Sequence, residues 1–208
     1  EAADDSAREI LQNVQAIGTG STVNSDTKME SLHQTGSDID DSSFFGISVA
    51  GAGDLNGDGY SDVIVGANNH DDGGTAGVAS RGRAYIYFGG PSLTGIIGTY
   101  SAMLHQTGSD IDDSSAFGAS VAGAGDLNGD GYSDVIVGAY WHDDGAAASS
   151  ARGRAYIYFG GPSLTGIIGS YNAMLHQTGS DIDDSSSFGY SVASAGDVRG
   201  DGCCDGIV

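Results

Sequence analysis

Positive charge is what this chain has least of. Its 208 residues include 7 Lys and Arg against 28 Asp and Glu, a formal net charge of −21, and Lys28 is the single lysine. Phosphate recognition needs cationic side chains, so nucleic acid is excluded as a partner, and a bare anionic membrane surface is disfavoured with it. The 2 cysteines, Cys203 and Cys204, are adjacent. Neighbours in sequence do not make an ordinary structural bridge, and no metal-ligand spacing surrounds them. No apolar run is long enough to span a bilayer, and no signal-peptide pattern stands at Glu1. A nucleophile elbow, a phosphate-cradling loop and a zinc motif are all missing, so the chain reads as a non-enzyme.

Glycine is abundant, at 36 residues, against 2 prolines. High acidity with little lysine resembles disorder, but runs of Val, Ile, Tyr and Phe return in phase, which places the acid in loops. Leu-His-Gln-Thr-Gly-Ser-Asp-Ile-Asp-Asp-Ser-Ser starts at Leu32, Leu104 and Leu175, a period of 72 and then 71 residues. Phe-Gly stands at 45–46, 117–118 and 188–189. A repeat this long holding several short strands implies one sheet per repeat, as in a propeller blade.

Each unit reads as four strands. In the first they fall near Gly46–Ala52, Val63–Ala67, Arg83–Phe88 and Ala102–Gln106. Ala84, Ile86 and Phe88 alternate with Arg83, Tyr85 and Tyr87, the pattern of a sheet packed on both faces. The second unit repeats this from Gly118. The third runs from Gly189 to Val208 and stops within its second strand. Residues 29–34 match a fourth strand. Residues 1–28 do not match the repeat and read as a linker or the end of another domain. Ser6 could cap a short helix there, with Ile10, Leu11, Val14 and Ile17 on one face.

Between the first two strands lies Asp54-Leu55-Asn56-Gly57-Asp58-Gly59-Tyr60-Ser61-Asp62, returned unchanged as Asp126–Asp134. Oxygen-bearing side chains occupy loop positions 1, 3, 5 and 9, glycine occupies position 6, and position 7 offers a carbonyl. That spacing suits a hard cation such as Ca²⁺, which takes six to eight oxygens at about 2.3–2.6 Å. An EF-hand would place Glu at position 12, where Val65 and Val137 stand. The strand-like flanks instead make this a calcium loop closing a β-hairpin, with the Asp at position 9 as the expected bidentate ligand. The alternative is an Asp/Asn/Gly turn that binds nothing. In the third copy Arg199 takes position 3, a cation where a cation ligand is required, so binding there is left open.

Other residues carry two readings each. Trp141, the one tryptophan, is either an exposed anchor or a cap on its own blade's core. The His-Asp-Asp runs at His70 and His142 are either chemical or a solvated acidic loop. His33, His105 and His176 follow strand 4 in each unit and read as part of the blade. Arg199-Gly200-Asp201 spells a tripeptide that some adhesion receptors bind, but it lies inside a damaged loop and reads as coincidence.

Phe45-Gly46, Asp54–Asp62 and Val65-Gly66-Ala67 form a set with Phe117-Gly118, Asp126–Asp134 and Val137-Gly138-Ala139. In the third copy Phe188-Gly189 and Asp197–Asp205 match. Over residues 29–208 the chain resembles the FG-GAP repeat family, which builds the seven-bladed β-propeller of integrin α subunits and of many bacterial surface proteins. The resemblance implies an all-β fold: a partial β-propeller of four-stranded antiparallel blades in an incomplete ring. The repeats would run about 45–116, 117–187 and 188–208. It implies Ca²⁺ held by Asp54, Asn56, Asp58, Tyr60 and Asp62, and by Asp126, Asn128, Asp130, Tyr132 and Asp134. In the third loop Asp197, Asp201, Cys203 and Asp205 carry over.

The function implied is a scaffold for adhesion or ligand binding in a secreted or cell-surface protein. Its partners would be the remaining blades of a longer chain and a protein or glycan on the face opposite the calcium loops. Tyr140, Trp141, His142 and Asp143 are the candidate contacts there. Two alternatives stay open: a propeller part of a larger extracellular hydrolase, and a truncated fragment without independent function.

Overall fold

The computed structural model describes residues 43–71, 81–91, 99–106, 114–143, 151–178, 185–197 and 205–207. The expected fourth-strand match at 29–34, the segment 1–28 and the acidic loops at 107–113 and 179–184 lie outside these residues. The described part is all-β, a partial propeller with blades that form no closed ring.

The first unit forms an antiparallel meander of β1 (Ser48–Gly53), β2 (Asp62–Ala67), β3 (Arg83–Tyr87) and β4 (Ala102–Leu104). The second repeats it with β5 (Ser120–Gly125), β6 (Asp134–Ala139), β7 (Arg154–Tyr158) and, after β8 (Gly166–Ile168), β9 (Ala173–Leu175). The third contributes the hairpin of β10 (Ala193–Gly196) and β11 (Asp205–Ile207). The first strand starts and ends later than the sequence pattern implied. The fourth is shorter, because pairing with β3 stops at Leu104.

Short β8 is the departure from the expected meander. It lies in the connection between the third and fourth strands of unit two, yet it pairs in parallel with β4 of unit one, Ala102 opposite Gly166 and Leu104 opposite Ile168. Gly166 N–H donates to the Ser101 carbonyl at 3.0 Å and His105 N–H to the Ile168 carbonyl at 3.2 Å. Unit one therefore has a fifth strand supplied by its neighbour.

The central strands of the two four-stranded blades, β2, β3, β6 and β7, are buried on both faces, as the strand alternation requires. On β3, Ala84 and Ile86 point into a core shared with Phe117, Val135, Val137, Tyr156 and Tyr158 of unit two. Tyr85 and Tyr87 point the other way, onto Val65, Ala67 and Met103. A further cluster joins Ile136 and Ile157 of unit two to Val192 of unit three.

The glycine of Val-Gly-Ala is explained by a close approach to the next unit, while that of Phe-Gly has a φ of 86° at Gly118 and 81° at Gly189 and lies against the Arg83 or Arg154 carbonyl. A Cβ added at Gly66 would run into the carbonyl oxygen of Gly118, and one at Gly138 into that of Gly189. The strand of one unit and the turn of the next touch backbone to backbone. Gly118 N–H donates to Gly138 O at 3.0 Å, which holds that turn in place. Phe117 N–H and Ser115 Oγ–H both donate to the Arg81 carbonyl, at 2.9 and 3.0 Å. The same pair recurs one unit on, from Phe188 N–H and Ser186 Oγ–H to the Arg152 carbonyl, at 2.9 and 2.7 Å.

Candidate metal centre

The two loops occupy matching places, each joining the first and second strands of its sheet. Within the first, Asp54 is the hub. Its Oδ1 accepts from Gly57 N–H (2.7 Å) and Asp58 N–H (3.0 Å), and its Oδ2 from Gly59 N–H (2.8 Å). Asn56 Oδ1 accepts from Asp58 N–H at 2.9 Å, and Asp58 Oδ1 from Tyr60 N–H at 2.9 Å. These are the local side-chain-to-backbone bonds by which Asp and Asn fold a tight turn. Gly57 and Gly59 have φ of 78° and 89°, a region that side chains with a Cβ avoid. The second loop reproduces the set: Asp126 takes Gly129, Asp130 and Gly131, Asn128 takes Asp130, and Asp130 takes Tyr132.

Asp62 closes the loop from the start of β2. It is 1% exposed, and Asp134 is fully buried. Asp62 Oδ2 accepts from Leu55 N–H at 2.8 Å and Oδ1 from Gly89 N–H at 2.8 Å. Asp134 does the same with Leu127 at 2.7 Å and Gly160 at 2.9 Å. The residue expected as a ligand is thus also a clamp between the hairpin loop and the end of the third strand. Burial pushes both carboxyls above the ordinary carboxylate range, against the pull of the two N–H bonds. The charges of Asp58 and Asp54, or of Asp130 and Asp126, push in the same direction as burial.

The loops are laced together. Ser133 N–H donates to the Asp54 carbonyl at 3.0 Å, and Gly161 N–H to the Leu55 carbonyl at 2.7 Å. The Tyr132 ring lies against Gly57, where an added Cβ would strike it. Leu55 is fully buried in the core between the units. Sequence reasoning passed over it. Its signal was an apolar residue at loop position 2 in both copies.

The donor set is all oxygen and mostly anionic, the chemistry of a hard cation. A carboxylate oxygen that accepts one N–H keeps a second lone pair, so both oxygens of Asp62 and the Oδ2 of Asp54 retain donor capacity, while Asp54 Oδ1 already accepts two N–H groups. Among the described residues, no three His, Cys, Asp or Glu side chains are gathered as a metal would hold them. In the third loop Asp197 is exposed, while Asp201 and Cys203 lie outside the described residues.

At the opposite end of β6 from its loop, Tyr140 stacks edge-on with Trp141 (centroids 5.6 Å apart) and with Tyr190 of unit three (5.1 Å). Trp141 is 55% exposed and Tyr190 70%, so Trp141 does not serve as a cap inside its blade's core. Tyr190 was missed; its counterpart in unit two is Ala119, so the repeat pattern concealed it. His142 corrects an expectation. It is 4% exposed, with its ring 6.4 Å from that of Tyr156. His70 sits likewise against Tyr85. Both histidines are interior residues of the blade, and His142 does not join the exposed aromatic group.

The FG-GAP repeat family model matches residues 45–87 and 117–158. Among curated proteins, integrin alpha-5 of Xenopus laevis is 37% identical over 114 residues, 55% of this chain and 10% of that protein. Integrin alpha-4 of Xenopus laevis is 32% identical over 170 residues, 78% of this chain and 14% of that protein. Integrin alpha-3 of Cricetulus griseus is 32% identical over 155 residues, 74% of this chain and 13% of that protein. The chain spans between a tenth and a seventh of these relatives' lengths. The two matched segments cover the first three strands of the two sheets whose glycines and loops interlock, and by them together with the integrin alpha relatives the chain belongs to the FG-GAP repeat family of integrin alpha type.

Proposed function

We propose that this chain is a calcium-binding propeller module of a secreted or cell-surface protein. It acts as a scaffold for adhesion or ligand binding and not as an enzyme. One observation carries the calcium reading: two identical loops with only oxygen donors are laced side by side, each with carboxylate charges crowding a buried Asp. Bound Ca²⁺ would supply positive charge to offset that repulsion. Asp54, Asn56, Asp58, the Tyr60 carbonyl and Asp62 would hold it, with Asp126, Asn128, Asp130, Tyr132 and Asp134 in the second loop. Extracellular calcium modules bind at about 10⁻⁴–10⁻³ M, which suits surroundings outside the cell. The exposed rings of Trp141 and Tyr190, held by the half-buried Tyr140 between them, are the surface we assign to a protein or glycan partner, with Asp143 two residues further along the chain. The integrin alpha names of the relatives support the adhesion setting. Blades beyond this chain would complete the ring.

Thermal unfolding followed by circular dichroism tests the metal. With about 5 mM Ca²⁺ in place of excess chelator, two sites of this affinity raise the midpoint by roughly 5–10 °C. The double variant Asp58→Ala and Asp130→Ala loses that rise. Identical midpoints in both buffers would reduce the loops to turns.

A further inference from the structure

We propose that Asn56 and Asn128 are sites of spontaneous deamidation, two programmed points of chemical ageing in neighbouring loops. Asn56-Gly57 and Asn128-Gly129 are the two Asn-Gly pairs of the chain, and in both the glycine is exposed. Asn56 Oδ1 is bonded to Asp58 N–H at 2.9 Å, and Asn128 Oδ1 to Asp130 N–H at 2.9 Å. That turn folds the side-chain Cγ back over the following peptide, toward the glycine nitrogen. At Gly57 the neighbouring cover is the Tyr132 ring on the Cβ side, and the glycine carries no side chain of its own beside this nitrogen. Its N–H already points at a carboxylate oxygen, Asp54 Oδ1 for Gly57 and Asp126 Oδ1 for Gly129, each at 2.7 Å. The departing Nδ2 in turn donates to Asp58 Oδ2 at 3.0 Å or Asp130 Oδ2 at 2.9 Å.

The steps balance with water as the one co-reactant. The Gly57 nitrogen bonds to Asn56 Cγ, and its proton passes to Asp54 Oδ1. The Cγ–Nδ2 bond breaks, and the nitrogen leaves as ammonia after taking up a proton. Water then opens the five-membered imide at either carbonyl, giving aspartate or isoaspartate. Nothing is oxidised or reduced. Aspartate adds a carboxylate to the charges of Asp54, Asp58 and Asp62. Isoaspartate lengthens the main chain by one carbon and moves the side-chain oxygen out of loop position 3.

The test is peptide mapping by mass spectrometry of the folded chain, held in mildly alkaline buffer with chelator at physiological temperature. Chelator keeps the result independent of the calcium reading. The expected result is a gain of about 1 Da on the peptides carrying Asn56 and Asn128, with isoaspartate resolved as a second peak. Asn68, Asn69 and Asn172 stay unconverted over the same period. In Asn56→Gln the first signal vanishes and that of Asn128 persists. The proposal is overturned if Asn56 and Asn128 remain intact in the folded chain while the same chain in denaturant converts. Conversion of all asparagines at one rate would overturn it equally.

Discussion

Asp134 does two jobs that pull against each other. Its oxygens satisfy the N–H groups of Leu127 and Gly160, yet it is fully buried beside Asp130 and Asp126. A carboxyl whose folded pKa is raised holds a proton that the unfolded chain has released. Without metal, the contribution of Asp134 and Asp62 to stability therefore rises as pH falls through their folded pKa. It levels off below the ordinary carboxylate value. Urea titrations across that window, in chelator, check this, and Asp134→Asn should flatten the slope. A second residue-scale strain recurs before each Phe-Gly: Phe44, Ala116 and Ser187 have φ of 54°, 54° and 53°. Left-handed backbone costs a residue with a Cβ about 1–2 kcal/mol, partly offset by the entropy cost of glycine. Ser187→Gly should therefore stabilise the chain by up to about 1 kcal/mol, read as a higher urea midpoint at unchanged slope.

At the level of elements, the contact of Gly138 with the Gly189 carbonyl sets how closely β6 and the following turn approach. Gly138→Ala places a methyl where that backbone oxygen stands, and it also displaces the Ser120 hydroxyl that donates to the same oxygen. The expected cost is about 2–3 kcal/mol, measured as a lower urea midpoint, with Gly66→Ala behaving alike at the first interface. Much of this layer could be read from sequence, because period-two alternation in Arg83–Tyr87 and its copy announces a sheet packed on both faces. The loops were legible because identical oxygen spacing returned twice. What escaped has a physical reason. β8 is short, contains a glycine and finds its partner in the preceding unit, so no local pattern marks it. The clamp from Asp62 to Gly89 crosses 27 residues, beyond any spacing argument. Tyr190 gains meaning only from Tyr140 across the interface.

For the whole described molecule, the decisive fact is that one core belongs to two units. Ile64, Ile86 and Leu104 share it with Phe117, Val137 and Tyr156. Units one and two should then unfold as one cooperative body. Ile64→Ala and Val137→Ala, in different units, should lower the same single transition, with calorimetric and van't Hoff enthalpies in agreement. Two separated transitions would show independent blades. The borrowed strand carries this dependence into the order of synthesis. When β4 leaves the ribosome, the residues that cover its edge have not been made. At about 5–20 residues per second, Gly166–Ile168 follow several seconds later. Through that interval the nascent first blade presents an uncovered edge, and the chaperones of the exit tunnel have their opportunity there.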